Sequence, residues 1–123
     1  MKFTLEPPSQ ANLIRGYSAS ELRIGELRIA RSCIVSAARL ITEWEPLAFA
    51  DLAPAHLAAI FALEPEVVLL GTGATQRFAT REVQAAFAQR GMGVEVMQLG
   101  AACRTFNVLV QEERRVVAAL FLR

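Results

Sequence analysis

Four apolar residues, Val67-Val68-Leu69-Leu70, run without interruption into Gly71-Thr72-Gly73, with Pro65-Glu66 in front of them. A short unbroken apolar run between turn signals predicts a strand buried on both faces. We take residues 65–73 as the central strand of a sheet, with Gly71-Thr72-Gly73 at its carboxyl end, where open α/β sheets place their sites. Val94, Val96 and Leu99, with Glu95 and Met97 between them, predict a second inner strand. Between these two strands Thr80 is placed to cap a helix whose buried stripe is Val83, Ala86 and Phe87, and Gly91 is placed to end it. Strand, crossover helix and strand form a βαβ unit, so the two strands are expected to be parallel. A last apolar run over residues 116–122 predicts a final strand.

The N-terminal half alternates on a shorter period. Residues 13–18 predict a first strand; then Leu22 and Ile24 flank Arg23, and Leu27 and Ile29 flank Arg28. Gly25-Glu26 between them, glycine first, suits a type II′ hairpin turn. Cys33-Ile34-Val35 and residues 40–44 predict two further strands, stopped by Trp44-Glu45-Pro46. Asp51 and Pro54, followed by Leu57, Ile60 and Phe61 at helical spacing, predict a short amphipathic helix that Pro65 closes. Residues 1–12, with Pro7-Pro8, read as a loose arm or an extended lead-in to the first strand. A third helix is expected over residues 101–111. Arg104, Asn107 and Gln111 share one stripe of it, and the wide apolar remainder predicts burial on more than one side. Residues 112–115 form a charged turn. No repeat, low-complexity stretch or boundary divides residues 1–123, so the chain reads as a single domain.

Composition changes this picture in one respect. Hydrophobic residues make up 54% of the chain, and its mean hydropathy is +0.34. That excess points to an unusually complete core or to apolar surface covered by a protein partner or by self-association. Charge adds little. Thirteen Lys and Arg against twelve Asp and Glu leave +1 with no basic run, so nucleic-acid binding is not expected. No apolar run reaches membrane-spanning length and no signal-peptide pattern opens the chain, so a cytoplasmic protein without membrane insertion is expected.

Candidate chemistry is sparse. Gly71-Thr72-Gly73 has two readings: backbone N–H groups offered to an anion, or glycines that permit a tight turn and close packing of the third helix. There is no third glycine at dinucleotide spacing and no Gly-Lys-Ser/Thr. The stripe Arg104, Asn107 and Gln111 faces either water or something polar. If the third helix begins beside the glycines, Arg104 and Asn107 line one rim of a pocket shared with Gly71, Thr72 and Gly73. His56, the single histidine, is expected to be exposed in the first turn of the short helix, with no nucleophile or second metal ligand at a usable spacing. Cys33 and Cys103 lie in no metal or redox spacing and read as buried reduced thiols. No catalytic residue, metal site or cofactor is assigned.

The order of four blocks then resembles a known family. They are residues 65–73, Gly91-Met92-Gly93-Val94-Glu95-Val96-Met97, residues 101–109 with Arg104-Thr105-Phe106-Asn107 at their centre, and residues 114–120. In these the chain is similar to the Mth-type domain of unknown function, the family that includes the mitochondrial complex I (NADH:ubiquinone oxidoreductase) assembly factor. The resemblance implies a three-layer α/β fold: a central mixed sheet with helices on one side and a small antiparallel sheet plus a helix on the other. It implies no enzymatic activity, metal or cofactor. The family commonly carries Tyr or Phe before the asparagine; Phe106 stands here, so a phenolic acid or base is absent. Many relatives have Glu-Gly-Arg in the last turn, where this chain has Glu112-Glu113-Arg114.

Two functions follow as expectations. One is a non-catalytic protein-interaction module, similar to an assembly factor. The alternative is a small-molecule (anion) binder or enzyme using the crevice beside Gly71-Thr72-Gly73.

Overall fold

A computed structural model describes residues 11–123 of the chain. Three short strands, β1 (Ile14–Tyr17), β2 (Leu22–Ile24) and β3 (Leu27–Ile29), form an antiparallel sheet in the order β1-β2-β3. Gly25 is the residue with positive φ in the two-residue β2–β3 turn (φ 57), as a type II′ geometry requires. Next come β4 (Cys33–Ser36) and β5 (Leu40–Ile41). Single 3₁₀ turns at Phe49–Asp51 and Pro54–Leu57 lead into the one-turn helix α1 (Ala58–Phe61). Then follow β6 (Val67–Thr72), α2 (Arg81–Gln89), β7 (Val94–Met97), α3 (Leu99–Gln111) and β8 (Val116–Phe121).

The second sheet has the order β5-β4-β8-β6-β7. β6 is parallel to both β7 and β8, while β4 is antiparallel to β8, so the sheet is mixed. The middle strand is therefore β8 and not the run at residues 65–73, which lies one place towards the edge. All six residues of β8 are buried, and that two-sided burial is what a middle position demands. β7, expected as an inner strand, is the edge. Exposed Glu95 between half-buried Val94 and Val96 is the pattern of a strand covered on one face.

Alternation along the strands sends side chains into two separate cores. Cys33, Val35, Leu69, Ala118 and Leu120 face Ala102, Cys103, Phe106 and Val110 of α3, together with Ile14, Leu22 and Ile24 of the small sheet. Ile34, Val68, Leu70, Val117, Ala119 and Phe121 face Val83 and Phe87 of α2, Leu57, Ile60, Trp44 and Phe49. The result is three layers, with α1 and α2 on one side and α3 with the small sheet on the other. The breadth of α3's apolar arc is thus explained: it packs on the mixed sheet and against β1 at once.

Several boundaries differ from expectation, each for a local reason. The strand expected over 40–44 stops at Ile41, because Trp44 turns into the second core. There its ring lies 5.4 Å from Phe121, and its Nε1 donates to the His56 carbonyl oxygen at 3.1 Å. His56 is only 20% exposed, since its Nδ1 accepts the Ala53 N–H at 2.9 Å. Leu99 is not a strand residue but opens α3, where the Gln98 side chain caps by accepting from the Gly100 N–H at 2.6 Å. Of the expected loose arm, residues 1–10 lie outside the described residues. Asn12 is fastened: its N–H donates to the Ala37 carbonyl at 2.8 Å, and its amide nitrogen donates to the carbonyls of Ser36 and Arg39.

The charged turn after α3 carries a strained residue. Glu113 has φ 60, a left-handed conformation that follows a helix end and normally selects glycine. Glu113→Gly is expected to raise unfolding stability by about 0.5–1 kcal/mol, because the relieved left-handed strain outweighs glycine's entropy cost. Urea titration reads this directly, and an unchanged or lower midpoint would contradict it.

Candidate functional site

The turn at the end of β6 is built from the helix that sits over it. Gly71 is buried, and a β-carbon there would come within 3.0 Å of the Ala102 β-carbon and of Leu120 Cδ2. Its lack of a side chain is what lets α3 lie directly on β6. Thr72 is buried too, and its hydroxyl is fully used: Oγ1 donates to the Thr75 carbonyl at 2.7 Å and accepts the Arg77 N–H at 3.1 Å. Gly73 has φ 89, and its carbonyl accepts the Leu99 N–H at 2.8 Å, so it ties the turn to the start of α3.

The polar stripe of α3 turns towards β1. Asn107 Oδ1 accepts the Ile14 N–H and its Nδ2 donates to the Ile14 carbonyl, each at 2.8 Å. A side-chain amide bonded this way mimics one residue of a neighbouring strand. Arg104 Nη1 donates to the Tyr17 hydroxyl at 2.9 Å, and Gln111 is exposed. The Tyr17 ring lies over Gly100, where a β-carbon would stand 2.5 Å from its hydroxyl oxygen. Beside Gly73 a hollow of about 310 Å3 is lined by Tyr17, Ser18, Gln98, Leu99, Gly100 and Leu122 among others. Gly73 borders it; Gly71, Thr72, Arg104 and Asn107 do not. The structure therefore brings Arg104 and Asn107 to the small sheet and leaves Gly73 alone at the hollow.

Chemistry elsewhere is equally committed. Among the described residues no buried side-chain nitrogen or oxygen lacks a partner, and no group of three or more His, Cys, Asp or Glu is placed to hold a metal ion. Cys33 and Cys103 are both free and buried in the α3-side core. Burial pushes each thiol up from 9.0 to about 12, and Cys103 adds to the effect on Cys33. A folded-state value above the unfolded one stabilises the protonated, folded form below pH 9 and loses that contribution as pH rises towards 12. At pH about 8 we expect both thiols to resist a disulfide reagent until denaturant is added. Fast labelling of either in the native protein would contradict this burial.

One residue that the sequence reading passed over is the most exposed large apolar side chain among those described. Phe78 is 88% exposed. It stands on a braced loop: Arg77 N is held by Thr72, Gln76 Nε2 donates to the Val96 carbonyl at 3.3 Å, and Ala79 is buried with its carbonyl bonded to Gln84. Thr80 then caps α2, accepting the Val83 N–H at 3.2 Å. Phe78 borders two apolar clefts, one with Phe49, Leu52 and Val83, the other with Phe87, Met92, Val94 and Val96. A large aromatic in a polar loop, outside the periodic stripe of the following helix, was the available signal.

Fold and site together define a three-layer α/β domain whose interior polar groups are spent on architecture and whose anomaly is a surface aromatic. The family model described as "Protein of unknown function (DUF498/DUF598)" matches residues 14–121, and the chain belongs to that family. NADH dehydrogenase [ubiquinone] 1 alpha subcomplex assembly factor 3 of Danio rerio is 33% identical over 114 residues, 91% of this chain and 65% of that protein. The 13 kDa major membrane protein of Francisella tularensis subsp. holarctica is 41% identical over 61 residues, 50% of each chain. The chain thus spans less than two thirds of either relative's length. An NMR structure of a Xanthomonas campestris protein, 37% identical, superposes with a TM-score of 0.84 over 99% of this chain and 92% of that one. A Bordetella pertussis protein described as a Mth938-like domain, 26% identical, gives 0.81 over 98% and 92%. Among the described residues no helix is long and apolar enough to cross a membrane.

Proposed function

We propose that this domain is a non-catalytic docking module that binds another protein, in the manner its relatives' name of assembly factor describes. The observation that carries the reading is Phe78, held 88% exposed on a loop whose neighbours are fixed. Leaving a phenylalanine in water forgoes about 2 kcal/mol of burial. A loop braced to present it is readily understood if a partner covers it. At the Gly71-Thr72-Gly73 turn the Thr72 hydroxyl and the Gly73 carbonyl are already bonded within the chain, which supports the same reading. We place the protein in the cytoplasm, where two unpaired thiols are at home.

The anion-binding alternative rests on the hollow beside Gly73. The α3 amides nearest to it are occupied, Leu99 by Gly73 and Gly100 by Gln98, so it has less in its support. Phe78→Ser decides between the two. We expect unfolding stability to change by less than about 0.5 kcal/mol, as for ordinary surface substitutions. Recovery of cross-linked protein partners from lysate is expected to fall by at least about tenfold, as loss of an aromatic anchor does. A metabolite that raises Tm by several degrees while no protein is recovered would overturn the docking reading.

A further inference from the structure

The two edges of the mixed sheet are unequal. β5 is two residues long, a short edge of the kind that discourages pairing; β7 has four residues, and among the described residues no strand pairs with its outer side. At this edge the Gln76 side chain donates to the Val96 carbonyl. A cleft of about 340 Å3 runs beside the edge between β7 and α2, and Val94, Val96, Met92 and Phe87 line it with Phe78 at its border. The opposite face of the edge shows Glu95, and Arg77 and Arg81 bracket Phe78 in the chain. None of these three charges has an ion-pair partner among the described residues, whose pairs are Arg28–Glu21, His56–Glu45 and Arg114–Glu66.

From this juxtaposition we propose that β7 accepts an extended segment of a partner protein as a sixth strand, with Phe78 closing over its apolar side chains. The proposal rests on the docking reading and names its element and chemistry. Strand addition satisfies the outward backbone groups of β7, and the side-chain period of two then sorts the incoming residues. Apolar residues at alternate positions enter the cleft against Val94, Val96 and Phe78. Residues between them face Glu95, where a cation is favoured and a carboxylate repelled. Carboxylates at the segment's end meet Arg77 and Arg81. The occupant is therefore an extended stretch of alternating apolar and basic residues with acidic flanks.

A fluorescein-labelled peptide of alternating valine and lysine, flanked at each end by aspartate, probes this in fluorescence-anisotropy titrations of the whole chain. Saturable binding is expected, weaker by roughly tenfold in Phe78→Ser, a loss of about 1.4 kcal/mol. Glu95→Lys is expected to weaken binding of that peptide and to strengthen binding of its valine–glutamate counterpart. A central proline in the peptide, which cannot pair, is expected to abolish binding. No binding, or equal binding of the proline peptide, overturns strand addition. If Phe78→Ser nevertheless releases a cross-linked partner, the docking reading stands while this one falls. Sedimentation of the free chain adds a last arm: a dimer that Phe78→Ser dissociates would make a second copy the occupant and overturn the proposal.

Discussion

Replacing Gly71 with valine is expected to destabilise the domain by about 2–3 kcal/mol. Valine suits a strand, and that propensity is worth up to about 1 kcal/mol in its favour. Packing decides the sign. The β-carbon alone would sit 3.0 Å from both Ala102 Cβ and Leu120 Cδ2 and 3.6 Å from the Leu99 α-carbon, which is helix backbone. Relief requires α3 to lift from β6, and α3 is held at its start by the Gly73–Leu99 hydrogen bond and along its length by the core around Phe106. Overpacking without room to relax costs about 1–3 kcal/mol, before the two further methyl groups are placed. Urea unfolding reads the effect as a lowered midpoint with unchanged slope. Gly93→Val supplies the contrast, since a β-carbon there meets nothing within 4 Å; that variant should lie near wild type. Equal losses from both would mean that glycine content, and not the α3–β6 contact, sets the cost.

Asn107→Leu is expected to lose about 2 kcal/mol and to loosen the small sheet selectively. Leucine keeps the bulk but leaves the Ile14 N–H and carbonyl without their partner, and Ile14 itself is buried. Amide exchange in β1 should therefore quicken far more than in β8. Asn107→Asp separates shape from hydrogen bonding. Near neutral pH a carboxylate still accepts from the Ile14 N–H but repels its carbonyl oxygen, which raises the new acid's folded-state value above the usual 3.9 or so. The protonated acid restores a donor, so the aspartate variant should approach wild type as pH falls below about 4 and lose ground as pH rises. A variant whose deficit is the same at acid and neutral pH would show that the amide acts through packing alone.

Much of the framework was legible because local chemistry and tertiary position agree. Gly25-Glu26 between two alternating triplets fixes the β2–β3 hairpin, and Thr80 and Gly91 bound α2 as their capping roles require. Strand order was harder to read. Val67-Val68-Leu69-Leu70 and the run at residues 116–122 are both continuously apolar, and periodicity says that each is buried on two faces without saying which is in the middle. Gln98 is an uncommon cap, and without a recognisable cap Leu99 reads as the end of the preceding strand. At the site, Asn107 and Arg104 share a helix stripe, but their partners Ile14 and Tyr17 are about ninety positions away in the chain. Nothing in the stripe itself separates a ligand-facing amide from one that braces a distant strand. Glu113, by contrast, stands where the resemblance implies a glycine, and the backbone adopts φ 60 there in spite of the side chain.

The position of β8 also has a consequence for biosynthesis. β4 and β6 do not pair with each other; each pairs with β8, the last element in the order. While the chain is being made, the β1–β3 hairpins and the β6–α2–β7 crossover emerge early but have no shared strand to join them. Their inward faces, Leu69 and Cys33 on one side and Leu70 and Ile34 on the other, stay open to other chains until residues 116–121 have cleared the ribosome. This domain is thus expected to fold after release of β8 and not progressively, and to need protection from aggregation during that interval.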